Sequence, residues 1–293
     1  MSSPENLRQA LNHLDSLPAI PSIAQKILSL KITTDEGERA LLELVGKDPT
    51  ILSRIVGLAN SPLFGTGRDI LTLREAVALL GSRRIKMVAI SFSMMTSMAR
   101  KHVGLLDIQS LWQHSLSIAM TMDYMARLMP ENLRPSDDEI YLAGLLHDIG
   151  FLVLDYLDTQ LSDRFHARMA AEPGRTVEEI EAKMLEMNHG ELGAALAQCW
   201  GLPEIIVAVI NYHHRPDDRR ADVGQPLVTM TNLAEKLLPP FGISEPVQPQ
   251  ISAEEWRALG IDPRRESEIV AAVKENIREV SDMFLQRIIG QHE

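Results

Sequence analysis

Ile140-Tyr141-Leu142-Ala143-Gly144-Leu145-Leu146-His147-Asp148-Ile149-Gly150 is the stretch on which the reading of this chain turns. Ile140 to Leu146 is almost wholly apolar, as in a helix buried on every side. An imidazole and a carboxylate follow directly. Buried polar groups need hydrogen-bond partners, and a buried charge needs a counter-charge or a metal. The pair therefore predicts other polar residues converging on it from elsewhere in the chain.

Outward from this stretch the pattern is helical nearly throughout. Asp48-Pro49 reads as an N-cap followed by proline at the first helical position. Ile51, Ile55, Leu58 and Ala59 then form an apolar stripe at helical spacing. Asn60-Ser61-Pro62 ends that helix, and Gly65 and Gly67 mark a loop. A helix near Leu73 to Leu80 stops at Gly81. The next is expected from about Ser82 to Arg100, with Ile85, Val88, Phe92, Met95 and Ala99 on one face. Pro239 to Gln250 reads as a loop, and Ser252 with Glu255 resembles a capping box. A last helix, about Arg264 to Ile288, aligns Ile269, Val273, Ile277, Val280, Phe284 and Ile288 on one side, and is expected to pack on its own domain, with a role in dimerisation as the alternative. No sustained period-2 alternation is present, so no sheet is expected and the fold class is all-α.

The chain has 293 residues, enough for one large domain or two smaller ones. It is 45% apolar and 24% charged, ordinary for a soluble globular protein. A net charge of −11 argues against a dedicated nucleic-acid binder, which needs positive surface to neutralise phosphate. The short basic cluster Arg83, Arg84 and Lys86 is expected to be a solvated helix start. The single cysteine, Cys199, excludes an intramolecular disulfide framework and fits a reducing compartment. It precedes Trp200 in an apolar run and is expected to be an inert core thiol. The methionines from Met87 to Met129 are expected to fill gaps between helices. No apolar stretch is read as reaching the ~18 residues of a membrane span. The first residues, Met1 to Asn6, lack the regions of a signal peptide. A cytoplasmic location without membrane contact is expected.

Five of the nine histidines share an apolar, helical setting. His114 continues the stripe of Leu111, Ile118 and Met122. His147 follows Ala143 and Gly144, whose small side chains leave room beside it. His189 follows Asn188, an N-cap with Glu191 as its capping-box partner. His213 and His214 end a helix carrying Ile206, Val209 and Ile210. Each alone reads as an ordinary hydrogen-bonded core histidine. Together with Asp148 they make a set that helix bundles use for metal sites, built from inward side chains on facing helices. Imidazole suits iron, zinc, nickel or copper, and the carboxylate extends the range towards manganese.

The order His114, His147-Asp148, His189, His213-His214 resembles the HD superfamily of metal-dependent phosphohydrolases. Four earlier segments narrow this to a resemblance to the HDOD family: Leu17-Pro18-Ala19-Ile20-Pro21, Lys47-Asp48-Pro49-Thr50-Ile51-Leu52, Leu58-Ala59-Asn60-Ser61-Pro62 and Arg74-Glu75-Ala76-Val77-Ala78-Leu79-Leu80-Gly81. It covers about Leu14 to Pro216. It implies a multi-helix HD-like bundle with an N-terminal helical subdomain. Residues 1–105 would form the N-terminal part, and 106–293 the HD-like part with a C-terminal helical extension. It also implies a bacterial signalling or regulatory role with a protein partner, and a site for one or two divalent ions (Fe, Mn, Zn or Ni).

The resemblance also exposes departures from a working hydrolase. The superfamily carries a late Asp as a metal ligand. Asn232 stands at that position, and Glu235, one turn on, could substitute. Phe151 stands where the active branch has a Lys that can pair with phosphate. The Gly-Tyr-Pro element of cyclic di-GMP phosphodiesterases is absent after His214. The expected ligands are thus His114, His147, Asp148, His189, His213, His214 and Asn232, with Asp148 bridging. His114 and His147 would hold one ion, and His189, His213 and His214 would lie nearer the other. Arg83, Arg84 and Arg215 are the candidate partners for a phosphorylated ligand. A regulatory domain with little or no catalysis is the first expectation, an active metal-dependent phosphohydrolase the second, and a di-iron redox site the third.

Overall fold

In the computed structural model, the described residues are 7, 17–60, 69–99, 104–172, 174–238 and 251–289. They form helices α1 (Ser22–Leu28), α2 (Asp35–Gly46), α3 (Pro49–Ala59), α4 (Leu73–Leu80), α5 (Ser82–Ala99), α6 (Ile108–Leu128), α7 (Asp137–Leu146) and α8 (Ile149–Leu157). There follow α9 (Thr159–Ala171), α10 (Val177–Met184), α11 (His189–Cys199), α12 (Glu204–Tyr212), α13 (Leu227–Leu237), α14 (Ala253–Ala258) and α15 (Glu266–Ile289). Among the described residues no strand occurs, and the fold is all-α.

Local sequence explains where these helices start. Asp48 accepts from the amides of Thr50 and Ile51, with Pro49 in the first turn of α3. Full capping boxes open α4 (Thr72, Glu75), α7 (Ser136, Glu139), α11 (Asn188, Glu191) and α14 (Ser252, Glu255). Three carboxylates in the first turn of α7, from Asp137, Asp138 and Glu139, face the positive end of its dipole. Helix α4 ends on Gly81 at φ 83°, a backbone conformation that other side chains resist.

Helices α7 and α8 lie at the centre. Helix α6 runs along α7, α11 packs on α8, and α12 packs on α11. Two glycines set these distances. A side chain at Gly144 would lie 2.6 Å from the Ala119 Cα in α6. One at Gly150 would lie 1.8 Å from the His189 carbonyl oxygen. The N-terminal helices join this bundle through α5, which packs on α7 and α1. The indole of Trp200, just after α11, donates to the Pro18 carbonyl at 2.8 Å, tying the Leu17–Pro21 segment to the bundle. One apolar cluster consequently runs from Leu7 to Val273. The methionines from Met87 to Met129 are all buried in it, as gap-filling side chains should be.

Several expectations need correction. The basic cluster is not a solvated helix start. Only Arg83 is exposed. Arg84 is half-buried over the Tyr141 ring and pairs with Asp123 and Asp137. Lys86 donates to the carbonyls of Leu28 and Leu30, closing the end of α1. Cys199 is exposed, because it lies on the outer face of the last turn of α11. Residues 137–157 are long and apolar enough to cross a membrane, contrary to the reading above, but 89% of that window is buried inside the fold. It is the core pair α7–α8, interrupted at His147-Asp148. The loop around Gly65 and Gly67, the segment 239–250, and the side chains of Val280, Phe284 and Ile288 lie outside the described residues.

Candidate metal centre

Six helices or their ends supply the polar side chains. His114 sits in the second turn of α6. His147 caps the C-terminus of α7, and Asp148 occupies the N-cap position of α8. The Asp148 side chain makes no capping hydrogen bond, although Asp is a favoured cap. His189 is the first residue of α11, fixed by the Asn188 capping box. His213 caps α12, and His214 follows it. Glu235 projects from α13. The sequence-predicted histidines and Asp148 are therefore brought together, all buried except the half-buried His214.

They form two groups that share Asp148. Ligand atoms of His114, His147, Asp148 and Glu235 all lie within 4.8 Å of one another, and so do those of Asp148, His189, His213 and His214. Asp148 divides its oxygens between them. Oδ2 lies 3.2 Å from His147 Nε2 and 3.6 Å from His114 Nε2. Oδ1 lies 3.4 Å from His189 Nε2 and 3.6 Å from His213 Nε2. Glu235 Oε1 closes the first group, 2.7 Å from His147 Nε2 and 2.8 Å from His114 Nε2.

Hydrogen bonds on the far side of the rings decide what faces inward. His147 Nδ1 donates to the Gly144 carbonyl at 2.8 Å, and His213 Nδ1 to the carbonyls of Val209 and Ile210. Each ring then points its Nε2 at the cluster. His189 Nδ1 donates to Glu181, so its Nε2 and that of His213 face each other at 3.1 Å. Neither His147 Nε2 nor Asp148 Oδ1 has an aligned hydrogen bond. Imidazole nitrogens and carboxylate oxygens packed this closely are stabilised by a proton or a metal cation between them. The donor set, imidazole nitrogens around a shared carboxylate, fits one or two divalent ions.

The charges are strongly coupled. Burial opposes ionisation of Asp148, yet His147, His213 and His189 hold its carboxyl well below the usual range. Glu235 is likewise held low by His114 and His147 against the effect of burial. Burial would depress His189, but Glu181 overrides it and pushes the ring up to about 9. His213 goes the other way, to about 3, through burial and the neighbouring His214.

Asn232 is buried, and its Nδ2 donates to the His213 carbonyl at 2.7 Å while Oδ1 has no hydrogen-bond partner. The carboxylate that reaches His114 and His147 comes instead from Glu235, the residue named above only as a substitute. Phe151 stacks on the His189 ring, with centroids 4.4 Å apart, and so forms an apolar wall there. Arg84 pairs with Asp137 at the opposite end of α7 from His147, roughly 15 Å away for a helix of that length. Arg215 lines a cavity of about 500 Å³ beside His189, His213 and His214. Two acidic residues were missed by the sequence reading. Glu181 and Glu178 of α10 contact His189 and His214, and nothing distinguishes them in sequence from a solvated acidic helix face.

The sequence pattern of the HDOD domain matches residues 17–216. The chain belongs to the HDOD family. An HDOD domain protein of unknown function from Geobacter sulfurreducens is 26% identical, with a TM-score of 0.68 over 93% of this chain and 97% of that one. A protein from Marinobacter aquaeolei, provisionally named a signal transduction protein, is 22% identical with a TM-score of 0.72. That likeness covers 96% of this chain and 64% of that one. An uncharacterized protein of Treponema pallidum is 25% identical over 205 residues, 69% of this chain and 38% of its own length. The chain thus spans well under half of that relative. The HDOD match ends at Pro216, before Asn232 and Glu235, so the first carboxylate group is completed from outside it.

Proposed function

We propose that this HDOD chain is a bacterial regulatory domain in signal transduction, built around a dinuclear metal centre with little or no turnover. The ligands would be His114, His147, Asp148 and Glu235 for one ion, and Asp148, His189, His213 and His214 for the other, with Asn232 beside them. Ions bound there would supply Lewis acidity and hold the helix ends together. The observation that carries the reading is the charge of the cavity beside the second group. Its wall bears Glu178, Glu181, Glu186 and Glu191, and Arg215 is its sole Lys or Arg among the described residues. Phe151 fills the position where a cation would pair with phosphate. Such a wall repels a phosphate that an enzyme of this superfamily would need to draw in. The N-terminal helices would meet the protein partner.

A specific observation favours a second reading. Glu235 restores the late carboxylate that Asn232 fails to provide, so an active phosphohydrolase has a full ligand set. Metal analysis of the purified protein and a phosphodiesterase screen with added manganese or iron separate the two. The expected result is up to two ions per chain, lost in Asp148→Ala, without turnover. Phosphodiester hydrolysis that disappears in Asp148→Ala would overturn the regulatory reading. Absence of any stoichiometric ion would remove both.

A further inference from the structure

Helix α10 carries two carboxylates for which the histidine pattern gives no reason. Glu178 and Glu181 are three residues apart, on one face of the helix. Glu181 is 2% exposed, and its Oε1 accepts from the backbone N–H and the Nδ1–H of His189, both at 2.8 Å. Glu178 Oε1 lies 3.0 Å from His214 Nδ1. The carboxylate on His189 occupies Nδ1 while Nε2 faces the cluster, and Glu178 holds the His214 ring by its Nδ1. His147, in the other group, has a backbone carbonyl in that role. A carboxylate on the far nitrogen fixes the ring and raises its basicity towards a metal, and removing such a partner typically costs 10–100-fold in affinity. A buried carboxylate with no such task would be costly. The cavity also meets one group alone. Its wall includes His189, His213 and His214 with both glutamates, and none of His114, His147, Asp148 or Glu235.

We infer that Glu181 and Glu178 are positioning residues for one ion of the pair, the one facing the cavity, and that α10 thereby sets how firmly the ligand-facing ion is held. The inference rests on the reading that the cluster holds two ions. The test titrates manganese(II) alone into the chelator-treated full chain by calorimetry. Wild type is expected to bind two ions. Glu181→Gln and Glu178→Gln should each weaken one ion by about 10–100-fold and leave the other unchanged. The Glu178 side chain is 46% exposed, so Glu178→Gln decides the matter even where Glu181→Gln does not fold, which thermal melting reports. No ion in wild type overturns the two-ion reading and this inference with it. Two ions in wild type, with both variants unchanged or both ions weakened alike, overturns the inference alone.

Discussion

Asp148 stands at a helix start and caps nothing. A side chain that gives up a capping hydrogen bond worth about 1 kcal/mol is held by something stronger. Here that is the shared polar cluster, with two imidazoles beside each oxygen. Glu235 matters for the same reason, since it gives the His114–His147 group a carboxylate of its own. Glu235→Gln should therefore release one ion and keep the cavity-facing one, lowering metal content from two to one per chain by elemental analysis. Retention of both ions would move the late ligand to Asn232, whose Oδ1 is buried and unpartnered. The sequence reading placed Asn232 among the ligands and named Glu235 only as a substitute. They lie three apart on α13, and only the docking of that helix decides which one reaches His147.

At the scale of elements, the histidine–carboxylate cluster depends on how closely helix ends approach. Gly150 lets the first turn of α8 touch the backbone of His189, and Gly193 of α11 meets the Gly150 amide from the other side. Gly150→Ala would drive a methyl group into the His189 carbonyl and force α8 and α11 apart. Overpacking of this kind costs about 1–3 kcal/mol, so thermal unfolding should begin at lower temperature. Metal content should fall as well, because His189 moves with α11. An unchanged melting curve would mean that the two helices have room to separate. The boundaries of these helices were legible in sequence, since Asp48-Pro49, Gly81, Asn188 with Glu191 and Ser252 with Glu255 act within a few residues of themselves. Helix α10 was not. Its buried Glu181 and its exposed neighbours are the same residue type, and the difference between them is which face meets α11.

At the scale of the whole molecule, the N-terminal helices and the histidine bundle share one core and are pinned at separate points. Arg84 joins α5 to α6 and α7 through Asp123 and Asp137. Trp200 joins the end of α11 to Pro18. Trp200→Phe keeps the aromatic bulk and removes the N–H, so it should cost about 1 kcal/mol in denaturant unfolding. A loss near zero would show that the Pro18 carbonyl is satisfied without the indole. The sequence by itself determined that the chain is helical, where most helices begin, and that five histidines and Asp148 sit in apolar surroundings. These follow from periodicity and capping, which are local. Tertiary structure alone decided that Glu235 completes one imidazole group and α10 backs the other, and that Arg84 is structural while Cys199 is exposed. Those outcomes depend on which faces of distant helices meet, and burial and charge pairing are settled only when they do.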